Sequence, residues 1–127
     1  MREILFRGKR ADNGMWVFGN YRNCWRTGNK RAVITTIPDS PEKIPFSYLV
    51  VPSTVGQYVC SDMVDNKIFE GDIVRDHNGQ TYVMVFYEKY NCYLFVREYT
   101  PYAGIKPKEV EVVGNIFDNP ELLEVSK

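Results

Sequence analysis

The sequence predicts a mainly β protein: an SH3-like small barrel in the C-terminal half, packed with an N-terminal subdomain rich in β-hairpins, and ending in a short C-terminal helix. Three observations carry this expectation. Short runs rich in β-branched and aromatic residues recur along the chain, among them Ala32–Ile37, Thr81–Tyr87 and Cys92–Val96. Turn signals separate them, notably Asn13-Gly14, Asn78-Gly79 and Glu70-Gly71-Asp72. A helix start signal stands only near the end, where Asn119 offers an N-cap, Pro120 the first helical position and Glu121 a charge suited to the positive helix end.

Taken in order, Glu3–Arg7 reads as a strand bounded by Gly8, and Asn13-Gly14 turns the chain into a return strand, Met15–Tyr21. Alternation places Trp16 and Phe18 on one face of that strand and Val17 on the other. Asn23 to Lys30 reads as a polar loop holding Cys24, Trp25 and Gly28. A β run, Ala32–Ile37, follows, and the three prolines between Pro38 and Pro45 interrupt regular structure. Tyr48–Val51 is a short strand stopped by Pro52, Ser53–Tyr58 a weak turn signal, and Ser61–Lys67 a loop.

Ile68–Val74 is the stretch around which the remainder is organised. Gly71 can take a positive φ, Asp72 can bond nearby backbone N–H groups, and Ile73 and Val74 start a strand. Asp76–Gly79 then turns into Thr81–Tyr87, and Glu88–Asn91 turns into Cys92–Val96. After a looser loop from Thr100 to Pro107, Glu109–Val113 alternates valines inward and glutamates outward. Leu122, Leu123 and Val125 would dock the terminal helix. The expected modules are residues 1–67 and 68–127.

The 127 residues suit one medium domain or two small β modules, and an apolar fraction of 44% is enough for a core. Formal net charge is zero, which disfavours a polyanion binder at the level of the whole chain. The charge is unevenly placed, however. Residues 1–31 carry eight Lys/Arg against Glu3 and Asp12, net +6, and the rest carry eight against fourteen acidic residues, net −6. Cys24, Cys60 and Cys92 form no CxxC pair, a pattern that fits a reducing compartment. No long apolar run suggests a signal peptide or a membrane span, so a cytoplasmic protein without membrane partners is expected.

Three blocks, in order, resemble a known family. They are Arg2-Glu3-Ile4, Phe6–Arg10, Asp12–Gly14, Trp16-Val17 and Gly19; then Pro52, Thr54–Tyr58 and Phe69–Val74; and finally Val113–Phe117 with Asn119–Leu123. Together they resemble the YopX family of phage and prophage proteins, across nearly the whole chain. The resemblance implies a mostly β fold with a C-terminal SH3-type barrel and a viral or prophage source in a bacterial host. It implies no activity, cofactor or catalytic residue. Between Tyr58 and Ile68 the chain departs from the family pattern: a glycine-containing turn is expected near Asn66-Lys67, and Cys60, Met63 and Val64 stand there instead.

The chemistry legible in the residues is sparse. Nucleophilic catalysis needs a Cys or Ser beside a base, and the single histidine, His77, lies in a turn. Asp62, Asp65, Glu70, Asp72 and Asp76 could recruit a hard cation, but their spacing matches no EF-hand loop, and turns and sheet edges use the same residues. No P-loop or GxGxxG is present. The expectation is therefore a non-enzyme with no cofactor and no metal. It would act by self-association, as a homo-oligomer, or by binding a host or phage protein.

The alternative is nucleic-acid binding by the basic, aromatic N-terminal layer, with Arg22, Trp25, Arg26, Lys30 and Arg31 as candidate contacts and Trp25 as the stacking ring. Gly71, Asp72, Gly114 and Pro120 are expected to have structural roles.

Overall fold

The computed structural model describes residues 4–26, 29–98, 100–102 and 104–123, without the side chains of residues 24–26, 29 and 30. Eleven strands follow one another: β1 (Phe6–Lys9), β2 (Trp16–Arg26), β3 (Asn29–Thr35), β4 (Ser47–Leu49), β5 (Gly56–Ser61), β6 (Lys67–Phe69), β7 (Asp72–Asp76), β8 (Thr81–Tyr87), β9 (Cys92–Arg97), β10 (Thr100–Tyr102) and β11 (Val110–Asn115). They form two sheets, ordered β4-β3-β2-β1-β5-β6 and β10-β9-β8-β7-β11. Short 3-10 turns occupy Pro52–Thr54, Glu88–Tyr90, Pro107–Glu109 and Pro120–Leu123. The fold is mainly β, and no α-helix occurs among the described residues.

Two compact units divide the chain, Met1–Tyr58 and Val59–Lys127, so the division falls ahead of the boundary expected after Lys67. Strand β5 begins in the first unit and ends in the second. In the first unit, β1 pairs with β2 through Phe6↔Gly19 and Lys9↔Trp16, and β2 continues against β3 from Asn20↔Thr35 to Arg26↔Asn29. The switch of partner falls at Gly19. A Cβ there would lie 2.0 Å from the Thr35 carbonyl oxygen, so the two strands meet closely only because residue 19 has no side chain. One face of this sheet is buried: Ala32, Ile34 and Val50 pack with Phe6, Val17, Tyr21 and Val55.

The second unit has its own core of Ile68, Val74, Tyr82, Met84, Phe95 and Val110, against which Val59, Cys60, Tyr93, Ile105 and Val112 pack. Its meander β7-β8-β9-β10 is completed by β11, which lies beside β7. A register shift between Val112 and Gly114 bulges Val113 out of that ladder. At the turn entering β7, Gly71 has φ +92; its N–H donates to the Met84 carbonyl at 2.7 Å, and its carbonyl accepts from the Ile116 N–H at 2.9 Å. Asp72 is buried and its Oδ2 accepts the Phe69 N–H at 2.7 Å.

Several elements differ from the sequence expectation. Residues 23–26 and 29–30, expected as loop, belong to β2 and β3, because β2 keeps pairing with β3 beyond Tyr21. Gly28 lies outside the described residues. The expected loop after Thr100 opens with β10, whose Thr100–Tyr102 pairs with β9 despite Pro101, as an edge strand permits.

The C-terminal helix is replaced by the 3-10 turn Pro120–Leu123. Asn119, expected as its N-cap, instead accepts the Asn115 N–H on its Oδ1 at 3.2 Å. Its backbone N–H donates to the Asn115 carbonyl at 2.8 Å. The Asn119 Oδ1 also lies 2.6 Å from where a Gly114 Cβ would stand, so Gly114 makes room for the turn that Pro120 opens. Val125 lies outside the described residues.

Candidate binding surface

Residues paired across neighbouring strands share a face, and alternate residues along a strand change face. Applied to the first unit, the registers sort its residues cleanly. Phe6, Val17, Tyr21, Ala32, Ile34 and Tyr48 fall on the core face. The other face carries Arg7 and Lys9 of β1, Trp16, Phe18, Asn20 and Arg22 of β2, Arg31, Val33 and Thr35 of β3, and Ser47 and Leu49 of β4. Among the described side chains of β1 to β4 this face holds four Lys/Arg and no Asp or Glu.

Contacts on the described side chains agree with this sorting. The Arg7 guanidinium lies 4.5 Å from the centroid of the Trp16 ring, and the Lys9 ammonium 5.5 Å from it, an arrangement of cations over a π face. Arg7 and Val33 are buried, whereas Phe18, Arg22, Arg31 and Leu49 are exposed, Phe18 at 46%. Neither Arg22 nor Arg31 has an ion-pair partner among the described residues. By contrast Arg10, beside the core face, is held by Asp12 through bonds of 2.9 and 2.6 Å. That hydrogen-bonded pairing pushes the Arg10 pKa up and pulls the Asp12 pKa down.

Of the five candidate contact residues, Arg22 and Arg31 take positions on the open face. The side chains of Trp25, Arg26 and Lys30 lie outside the described residues. Loop residues could have converged freely, but strand residues are sorted by pleat. Sequence reading passed over Phe18 for this role, although the alternation that put Trp16 with Phe18 already contained the signal.

A second surface lies at the margin formed by β4. No Asp, Glu, Lys, Arg or His occurs from Ile44 to Ser61. Around β4, at the end of its sheet, Ile37, Ile44, Phe46, Leu49 and Val51 are exposed, Ile44 at 75% and Phe46 at 62%. Backbone bonds from Val50 N–H to the Ala32 carbonyl and from Thr36 N–H to the Phe46 carbonyl face β3, which turns the backbone groups of Ser47 to the outer edge.

The carboxylates of the second unit are engaged in holding turns. Asp62 is fully buried; its Oδ1 accepts the N–H groups of Val64 and Asn66 at 2.9 and 2.8 Å, and its Oδ2 that of Val112 at 2.9 Å. Burial alone would raise its pKa, but these backbone donors outweigh it and hold the carboxyl below the usual range. Asp76 accepts from Asn78 and Gln80 in the same way, and its pKa is lowered by the same balance. No group of three or more His, Cys, Asp or Glu side chains suited to a metal occurs among the described residues. His77 is exposed in its turn, Cys60 packs against the second core, and Cys92 is an exposed free thiol.

These features define a mainly β protein of two antiparallel sheets, with one face of β1 to β4 that holds no Asp or Glu and an exposed apolar patch beside β4. The family comparison adds a specific kinship: the YopX protein family matches residues 5–124, and the chain belongs to that family. No curated protein matches the chain. No helix among the described residues is long and apolar enough to cross a membrane.

Proposed function

We propose that the protein is a non-catalytic interaction module of phage or prophage origin that works in the host cytoplasm and self-associates through the β4 margin. The observation that carries this reading is the exposed apolar patch of Ile44, Phe46 and Leu49 beside β4. The strand edge itself is largely taken: the Ala11 N–H donates to the Leu49 carbonyl at 2.9 Å, the Val51 N–H donates to the Lys9 carbonyl at 2.8 Å, and Arg10 lies over the Tyr48 ring, so the apolar side chains rather than open backbone carry the contact. Contiguous apolar exposure of this kind is characteristic of interaction sites. Such a patch can meet its own copy about a two-fold axis, so a second copy fits it without a new sequence. The fold reading that accompanies this proposal is an SH3-like barrel for the second unit, supported by the last strand lying beside the first, the order a short meander needs to close.

Sedimentation equilibrium over micromolar concentrations tests the proposal. The wild type is expected to dimerise, and Phe46→Lys or Leu49→Lys to be monomeric with an unchanged circular dichroism spectrum. Salt supplies the second arm. The first unit carries net +5 and the second net −5, so pairing two first units through an apolar margin is held or strengthened by screening. Dissociation by salt would instead indicate contact between opposite units. A wild type that stays monomeric overturns self-association.

A further inference from the structure

We propose that the open cationic face of the first unit binds single-stranded nucleic acid, with Phe18 as the stacking ring and Arg22 and Arg31 as phosphate contacts. Over β1 to β4 this face presents Arg22 and Arg31 exposed, with Arg7 and Lys9 held against the Trp16 ring, and has no Asp or Glu. Two of the four acidic residues of the unit, Asp12 and Asp39, are already paired, with Arg10 and Lys43, and neither pair involves this face. Arg22 and Arg31 are therefore exposed cations on a face to which β1 to β4 contribute no carboxylate, although the chain as a whole is neutral.

The choice of nucleic acid over an acidic protein segment rests on the rings. Trp16 is flanked by Arg7 and Lys9, while Phe18, two residues along the same strand, presents an exposed ring in the same cationic field. Phe18 and Arg22 are separated by four residues of β2, about 13 Å at the strand rise, so one base can stack while the backbone runs on toward the arginines. Asn20, Thr35 and Ser47 lie across one register row between them and the β4 margin, and supply hydrogen-bonding groups to a polar ligand. The expected signature is the joint one of stacking and counterion release, which neither an apolar peptide nor a simple polyanion gives. The surface shares Leu49 with the β4 margin but not Phe46, so Phe46→Lys, which tests self-association, is expected to leave it working.

The experiment is fluorescence anisotropy of a labelled oligothymidylate of about fifteen nucleotides at about 50 and 200 mM salt. Phe18→Leu, which keeps bulk but removes the π face, is expected to weaken binding about 5- to 100-fold, and Phe18→Tyr to retain it. Arg22→Gln and Arg31→Gln are each expected to reduce the slope of log affinity against log salt by about 0.7. Unchanged circular dichroism confirms that each variant is folded. Absence of binding at the lower salt overturns the proposal. So does equal competition by polyglutamate or by a duplex of the same phosphate count, which would mean charge recognition alone. A loss with Trp25→Ala as large as that with Phe18→Leu overturns the assignment to this face.

Discussion

Gly19 and Gly71 are both required, for different physical reasons. At Gly71 the backbone itself is unusual, with φ +92, and an added Cβ would also stand 3.2 Å from the Phe117 ring. At Gly19 no left-handed backbone is involved, and the obstacle is the Thr35 carbonyl, 2.0 Å from the missing Cβ. Gly14 supplies the comparison: φ is +73 but nothing lies within 4 Å. Alanine at Gly14 is expected to cost only the left-handed penalty, about 1–2 kcal/mol. Gly71→Ala adds a tight contact to that penalty, and Gly71→Val should cost more still, since a β-branched residue is a severe outlier there. Gly19→Ala should be the worst of the alanine variants, because backbone must move and the Asn20↔Thr35 pairing separates. Urea melts are expected to rank them in that order, and Gly19→Ala as mild as Gly14→Ala would show that β2 does not cross β3 so closely.

At the scale of elements, the turn from Asp62 to Asn66 replaces the glycine turn that the family pattern leads one to expect. Asp65 takes the left-handed conformation itself, with φ +65, and Asp62 gathers the loose N–H groups of Val64 and Asn66. The same carboxylate reaches across to the Val112 N–H, while the Met63 N–H donates to the Val110 carbonyl, so this turn covers the outer edge of β11. Its pKa is depressed on folding, so its contribution is fully present above the unfolded value of about 3.9 and is lost as pH falls through the folded value. Asp62→Asn keeps the shape but turns a donor toward donors. It is expected to lower stability at pH 7 by about 1–3 kcal/mol and to flatten the acid limb of the stability profile. Urea melts at neutral and acidic pH check both, and a variant that loses stability in acid as steeply as the wild type would remove Asp62 from this role.

At the scale of the whole molecule, two cores and opposite net charges invite the picture of two independent modules, but β5 contributes residues to both units. Breaking either unit therefore disturbs a strand of the other, and a single unfolding transition is expected. The sequence provides a convenient reporter, since both tryptophans, Trp16 and Trp25, lie in the first unit. Tryptophan fluorescence and far-ultraviolet circular dichroism should give coincident urea midpoints. A fluorescence transition at lower urea would show that the first unit opens alone.

Much of the local structure was legible in the residues by themselves. The Glu-Gly-Asp turn at Gly71, the inward valines and outward Glu111 of β11, and the shared face of Trp16 and Phe18 all follow from backbone stereochemistry and strand alternation, which act over a few neighbours. The order of three motif blocks also carried the family. The rest depended on partners distant in sequence. Residues 23–26 look like a polar loop because nothing local makes them a strand; they are one because β3 pairs with them. Asn119 looks like a helix cap, yet Asn115 and Gly114 already claim its side chain. The candidate surface follows the same rule: the cluster of basic residues is written in the sequence, but only strand register decides that Arg22 and Arg31 share a face with Phe18. A pleat sorts residues by parity, and parity has a meaning only once the pairing is set.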